Sequence, residues 1–181
     1  MLSKPLIFLL VINMSKYILG LDCSTKSTGW CVMTPDGELV RYGCIKPNSD
    51  DDAIDRIKTV INEVDKLIKE FKPYLIIEED VPPALQNSMT VKTLSTLKGG
   101  MLTLACINGI SIRYILPNVW QSALKILKSK GSTKKQSIDF INGIYNTAFK
   151  FVSESSKKNE DDITDSICLV HYYINKVKKG N

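Results

Sequence analysis

Apolar and polar positions along this chain follow two rhythms. Tyr17–Leu21 is a short apolar run ending at Asp22, Gly29–Met33 is a second, and the polar stretch Cys23–Thr28 separates them. Pro35-Asp36-Gly37 is a strong turn signal, after which Glu38–Cys44 can pair back, so the first third predicts an antiparallel meander of three strands. From Asp51 to Phe71 the rhythm changes. Ile54, Ile57, Ile61, Val64, Ile68 and Phe71 fall at helical spacing, with Ser49 or the Asp50–Asp52 run available as N-cap and Pro73 closing the far end. Tyr74–Ile77 then reads as a buried strand ending at Glu78, because a continuous apolar run after a crossover helix suits a central parallel strand. Met89–Asn108 predicts a helix, Ser111–Leu116 a fifth strand, and Val119–Lys128 and Thr133–Lys150 further helices. A polar loop, Phe151–Asn159, leads into a last helix, Asp162–Lys178, with a core stripe at Ile163, Ile167, Val170, Ile174 and Val177. The order is α/β with a mixed five-stranded sheet, three strands antiparallel and two parallel, flanked by helices.

The N-terminus breaks this pattern. Leu6–Ile12 is an unbroken apolar run preceded by Lys4, too short for the roughly 20 residues that span a bilayer and followed by no small-residue cleavage site. Residues 1–13 are expected to be an extension outside the fold, and 14–181 a single domain; a membrane-proximal tail is the alternative. With 181 residues, 44% of them hydrophobic, one core can stand without staples. The five cysteines form no CxxC or Cys/His cluster, as suits reduced thiols in a cytoplasmic protein. The net charge of +5 would assist a polyanionic partner. Lysines gather between Lys125 and Lys135, although solvated helix faces also produce such runs.

Acidic residues change the picture. Asp22 and Glu78 each end an apolar strand, where a carboxylate is costly unless paired or bound to a cation. Asp162 and Asp165 stand three residues apart on the last helix, on one face and away from its core stripe. Asp162 also suits a capping role at the helix N-terminus. As a set, one acid from the first strand, one from the central strand and two from the terminal helix can converge. Carboxylates without histidine or cysteine favour Mg²⁺ or Mn²⁺, and two such ions about 4 Å apart suit hydrolysis of a phosphodiester.

These residues resemble the RuvC-type Holliday-junction resolvases, in particular their phage and low-GC bacterial branch. The resemblance is carried by ILGLDCSTKSTGW (Ile18–Trp30), LIIEED (Leu75–Asp80) and DDITDSICL (Asp161–Leu169). It implies a ribonuclease H-like fold, two Mg²⁺ ions per site (Mn²⁺ as a substitute) on Asp22, Glu78, Asp162 and Asp165, and cleavage of four-way junctions by a homodimer. The part of Glu79, Asp80 and Asp161 stays open. GSTKKQ (Gly131–Gln136) resembles the family's second basic motif, which makes Lys135 the expected phosphate-contacting residue and Lys134 its neighbour. Where bacterial relatives carry a first basic residue this chain has Trp120, in LPNVWQSAL, with Lys125 as a substitute. Trp120 suits the core better than base stacking. The Met89–Asn108 helix, through Leu94, Leu97, Met101 and Leu104, is the expected dimer surface. Val81–Ser88 falls where relatives carry a loop that enters the junction.

Other readings remain at this stage. LGLDCSTKSTG also resembles the first phosphate loop of actin-like and sugar kinases, which would need a nucleotide cofactor, but the residues after Trp30 hold no second Asp-x-Gly-like loop. A ribonuclease H or exonuclease could carry the same acids, as could a non-catalytic nucleic-acid-binding homologue on the same fold. The resolvase reading places the protein in the cytoplasm of a bacterial cell or a phage-infected host, with no membrane partner.

Overall fold

The computed structural model describes residues 16–81 and 88–180; the expected extension and most of the Val81–Ser88 loop lie outside these residues. The meander forms as expected: β1 (Ile18–Asp22), β2 (Thr28–Met33) and β3 (Leu39–Ile45) pair antiparallel in sequence order. Helix α1 (Ala53–Phe71) then crosses the sheet. Asp52 caps it, its carboxylate accepting from the Ile54 and Asp55 amides at 2.8 and 2.9 Å, and Lys72 ends it in the left-handed region. β4 (Leu75–Glu79) enters parallel to β1, α2 (Ser88–Ile107) follows, and β5 (Ser111–Ile115) adds parallel to β4, giving the order β3-β2-β1-β4-β5. Three more α-helices follow among the described residues, α3 (Pro117–Ala123), α4 (Thr133–Tyr145) and α5 (Asp161–Lys179), with a short 3-10 turn at Lys128–Lys130 between the first two.

Because side chains alternate across a strand, the sheet feeds two cores. Leu19, Leu21, Val32 and Ile76 face α1 and α2, meeting Ile57, Val60, Val64, Ile68, Leu97 and Met101. Ile18, Cys31, Met33 and Ile77 face α5, with Trp120, Ile138 and Ile141 closing that side. Leu97 and Met101 are fully buried within a single chain, and Leu104 nearly so. This corrects the expectation that they are a spare dimer surface: the α1–α2 layer consumes them.

Two helices end sooner than their periodicity predicts. α3 stops at Ala123, and Lys125 follows with φ 62. α4 stops at Tyr145 because Asn146 turns left-handed (φ 52), while Asn142 accepts from the Phe149 amide and donates to the Phe149 carbonyl. That turn returns Phe149 to the sheet, edge-on to Tyr42.

Glycine sets how α5 lies on the sheet. A Cβ at Gly20 would fall 2.5 Å from Val170 Cγ2 and 2.7 Å from the Ser166 carbonyl oxygen, and one at Gly29 only 1.8 Å from the Asp162 carbonyl oxygen. Gly29→Ala therefore forces the first turn of α5 off β2 and is expected to cost about 3 kcal/mol. Gly99→Ala, in open space on α2, is expected to stabilise by about 0.5–1 kcal/mol. Denaturant unfolding of the two variants reads both, and equal effects would refute the close-approach account.

Candidate active site

β1 delivers Asp22 to the α5 face, two and four residues beyond Gly20 and Ile18 on the same side. α5 begins directly over this point, since Gly29 both pairs with Asp22 across β1 and β2 and touches the backbone of Asp162. Asp162 and Asp165 thus hang from the first turns of α5 above the end of β1. The Ser24–Thr28 turn is braced internally: Ser24 Oγ accepts from the Lys26 and Ser27 amides, and Thr28 Oγ1 donates to the Ser24 carbonyl at 2.6 Å. It presents the Ser27 hydroxyl, which donates to Asp162 Oδ2 in a short hydrogen bond.

β4 supplies two adjacent acids, and they part company. Leu21 pairs with Glu78 in the parallel register, so Glu78 follows Leu21 and Ile76 to the α1–α2 face. There it lies beside Cys23 and Lys98, fully buried, with neither carboxylate oxygen hydrogen-bonded. Glu79 follows Ile77 to the α5 face, the face of Asp22. Trp120, fully buried on α3, donates its indole N–H to Glu79 Oε2 at 2.8 Å. The sequence reading put Glu78 in the cluster; the structure brings Glu79 there instead. The strand runs one residue beyond its expected end, and a one-residue step reverses the face. Both faces of β4 are buried, so its apolar run carries no alternation to reveal this beforehand.

Electrostatics mark the same four acids. Burial pushes Asp22 well above the usual carboxylate range, and the charges of Glu79, Asp165, Asp162 and Asp161 push it further. Burial likewise raises Asp165, with Ser137 opposing and Glu79, Asp161 and Asp162 adding; its Oδ1 is buried without a partner. Asp162 is raised by burial against the Ser27 bond, and Glu79 by burial against Trp120 and Lys98. Among the described residues no group of three or more such side chains is placed to hold a metal ion; the acids are near enough for Glu79, Asp162 and Asp165 each to raise Asp22.

The expected basic residues fall differently. Lys135 pairs with Asp139 on the outer face of α4, at 2.5 Å, whereas Lys134 turns toward the acids and meets Asp161 at 2.8 Å. Lys125 is exposed after α3 and contacts none of the four acids. Trp120 is core, as expected, but with a polar contact into the site. Lys98 was missed: it bonds Asp80 at 2.9 Å, lies 3.9 Å over the Tyr114 ring and moderates both Glu78 and Glu79. A lone lysine within an otherwise apolar helix face was its one signal.

Comparison with known proteins bears on the family and the fold. Residues 18–170 match the family model described as crossover junction endodeoxyribonuclease RuvC. The protein of that name from Fusobacterium nucleatum is 26% identical over 159 residues, covering 85% of this chain and 78% of the relative. That of Orientia tsutsugamushi strain Ikeda is 31% identical over 110 residues, covering 59% and 69%. Among solved structures, Thermus thermophilus RuvC in complex with a Holliday junction substrate aligns with TM-score 0.71 over 91% of this chain and 96% of that one, at 14% identity. A yeast mitochondrial Holliday junction resolvase aligns with TM-score 0.62 over 98% and 91%, also at 14% identity. At such identities the structural likeness speaks for the fold, a ribonuclease H-like sheet.

Glu78 yields a prediction about stability. Burial, opposed by Lys98 and Cys23, raises it from 4.5 to about 7, so the folded state binds its proton more tightly than the unfolded chain does. Stability is therefore lost as pH rises from the unfolded value through about 7, and the loss is complete above that. Glu78→Gln is expected to stabilise by about 3 kcal/mol near pH 8 and by almost nothing near pH 4. A gain independent of pH, in denaturant unfolding at the two values, would contradict this.

Proposed function

The chain belongs to the RuvC family of crossover junction endodeoxyribonucleases, hydrolases that cut DNA at junctions, and we propose that Asp22, Glu79, Asp162 and Asp165 form its cutting centre. The observation that supports this reading is the meeting of four partly buried acids from β1, β4 and α5 at one end of the sheet. Uncompensated, their charge is costly.

The residues fit a hard divalent cation. All four offer carboxylate oxygens, the Asp165 Oδ1 lacks a partner, and burial pushes the neighbouring Cys23 and Cys44 thiols up, toward the protonated form that is a poor metal ligand. Two Mg²⁺ ions, or Mn²⁺ in their place, would supply Lewis acidity, activating water and stabilising the leaving oxygen of a phosphodiester. The chain's own contribution is orientation. Ser27 fixes the Asp162 carboxylate, Trp120 fixes that of Glu79, and Lys134 holds Asp161 at the rim, where its ammonium can also meet a phosphate oxygen. Glu78 leaves β4 toward the α1–α2 face and borders one small cavity with Asp22 and Glu79; it is not among the proposed ligands.

A four-way DNA junction is the proposed substrate, and a homodimer, with one centre for each of two strands, the proposed assembly. With Leu97 and Met101 buried, a second copy would meet the outer face of α2 around Leu102 and Ile107, which are 46% and 72% exposed. The proposed place of work is the cytoplasm of a bacterial cell or a phage-infected host. Among the described residues no helix is long and apolar enough to cross a membrane.

The test uses a mobile four-way junction, a linear duplex and an RNA–DNA hybrid, each with Mg²⁺ and with EDTA. Paired nicks in the junction, lost in EDTA and in Asp22→Asn and Glu79→Gln but retained in Glu78→Gln, are the expected result. Preferred cutting of the hybrid would overturn the substrate assignment, and an active Glu79→Gln beside an inactive Glu78→Gln would overturn the assignment of the acids. Trp120→Phe keeps the ring and removes the N–H; it is expected to need about tenfold to a hundredfold more Mg²⁺ for the same rate, with an unchanged requirement counting against the positioning role.

A further inference from the structure

A groove of roughly 650 Å³ opens beside the acids, on the β3 side of the site. Beyond Ser27, Lys134, Asp161 and Asp162, which it shares with the cutting centre, its walls come from separate residues of the flanking turns and loops. One wall is the β1–β2 turn, the stretch after β3 and the first turn of α1, which bring Lys26, Lys46 and Arg56. The facing wall is the 151–160 loop, which brings Lys157. Asp162 lies at the inner end, next to Lys134.

The charge of these walls has little internal compensation. Lys134 is tied to Asp161, but Lys26, Lys46 and Lys157 are exposed and enter no ion pair among the described residues. Glu154 is the one acid in the walls away from the site itself. Arg56 is held in place by a bond from Nη1 to the Asp51 carbonyl at 2.6 Å, while its Nε is buried without a partner. Lys46 is near enough to lower Asp162 against the larger raising effect of burial, so the basic wall runs up to the acids.

We propose that this groove is the track for one DNA strand of the substrate, its phosphates seated on Lys46, Arg56 and Lys157 so that the strand continues onto Asp162. The inference rests on the nuclease reading above and adds the direction from which the strand reaches the site. The chemistry of the walls selects the backbone. Cations and serine hydroxyls meet phosphate oxygens, and the lining contains no aromatic ring on which a base could stack. Recognition along this track is therefore independent of sequence, and any preference at the crossover must come from elsewhere.

Binding separates this from the chemistry. The full chain is titrated with a labelled four-way junction in Ca²⁺, which leaves the DNA uncut, over a series of salt concentrations. Lys46→Gln and Lys157→Gln are each expected to flatten the slope of log affinity against log salt by about 0.9 for one lost phosphate contact. The double variant should lose about twice that, and Lys66→Gln, on the outer face of α1, nothing. Two junctions of unrelated sequence should give the same losses. Groove variants with the affinity and slope of Lys66→Gln overturn the track, even if the wild type resolves junctions normally. If the wild type cuts no junction, yet the groove variants lose salt-dependent binding to duplex and single strands alike, the track stands and the resolvase reading falls.

Discussion

Everything at this site depends on how closely α5 can lie against the sheet. At Gly20 and Gly29 the helix backbone occupies the space in which any other residue would carry its Cβ. With a side chain at Gly29 the first turn of α5 would be lifted, and it is this turn that carries Asp162 and precedes Asp165 by one step. The close approach also shapes the opposite core: because Gly20 and Asp22 take the α5 face, Leu19 and Leu21 are left to anchor β1 to α1 and α2. One backbone contact thereby sets the distance of the acids and the parity of the strand beneath them.

That approach concentrates negative charge where the protein offers little to offset it. Asp22 and Asp165 are both driven upward by burial and by each other's neighbours. The groups that restrain the cluster do so one acid at a time: Ser27 for Asp162, Trp120 for Glu79, Lys134 for Asp161 at the edge. None is a buried cation placed among the acids, which is the arrangement expected of a site built to receive its positive charge from outside. Lys98 comes nearest. It lies toward the other face, tied to Asp80 and Tyr114, and it acts mainly on Glu78, whose burial would otherwise be still less tolerable.

The architecture was largely legible in the chain. The turn at Pro35-Asp36-Gly37, the helical stripe from Ile54 to Phe71 and the apolar run before Glu78 each specify one element, and their order specifies the sheet. Asp22, Asp162 and Asp165 were legible because an acid at a strand end, or a pair at helical spacing, contradicts the surrounding pattern. Glu79 was not, because two adjacent acids follow a run buried on both faces, and only the register with β1 decides which one meets Asp22. The same limit applies to Lys134 and Lys135, neighbours on a helix start whose directions depend on where Asp139 and Asp161 lie. Leu97 and Met101 were misjudged as surface because the outer face of α2 mixes Thr and Ser with Leu102 and Ile107, and so weak a contrast between faces does not say which layer covers it.

The signs of charge around the site follow from the division of labour between elements. Strand ends and the first turn of α5 are rigid and converge, so they suit acids whose relative placement must be held. The turns and loops that flank them, carrying Lys26, Lys46 and Lys157, reach outward and need only be near. An acidic floor with basic walls repels a polyanion at its deepest point while attracting it along its length. A phosphate chain settled on the walls is therefore held next to the acids but stable against them only when a cation lies between, and occupancy of the groove and occupancy of the acids are expected to reinforce one another.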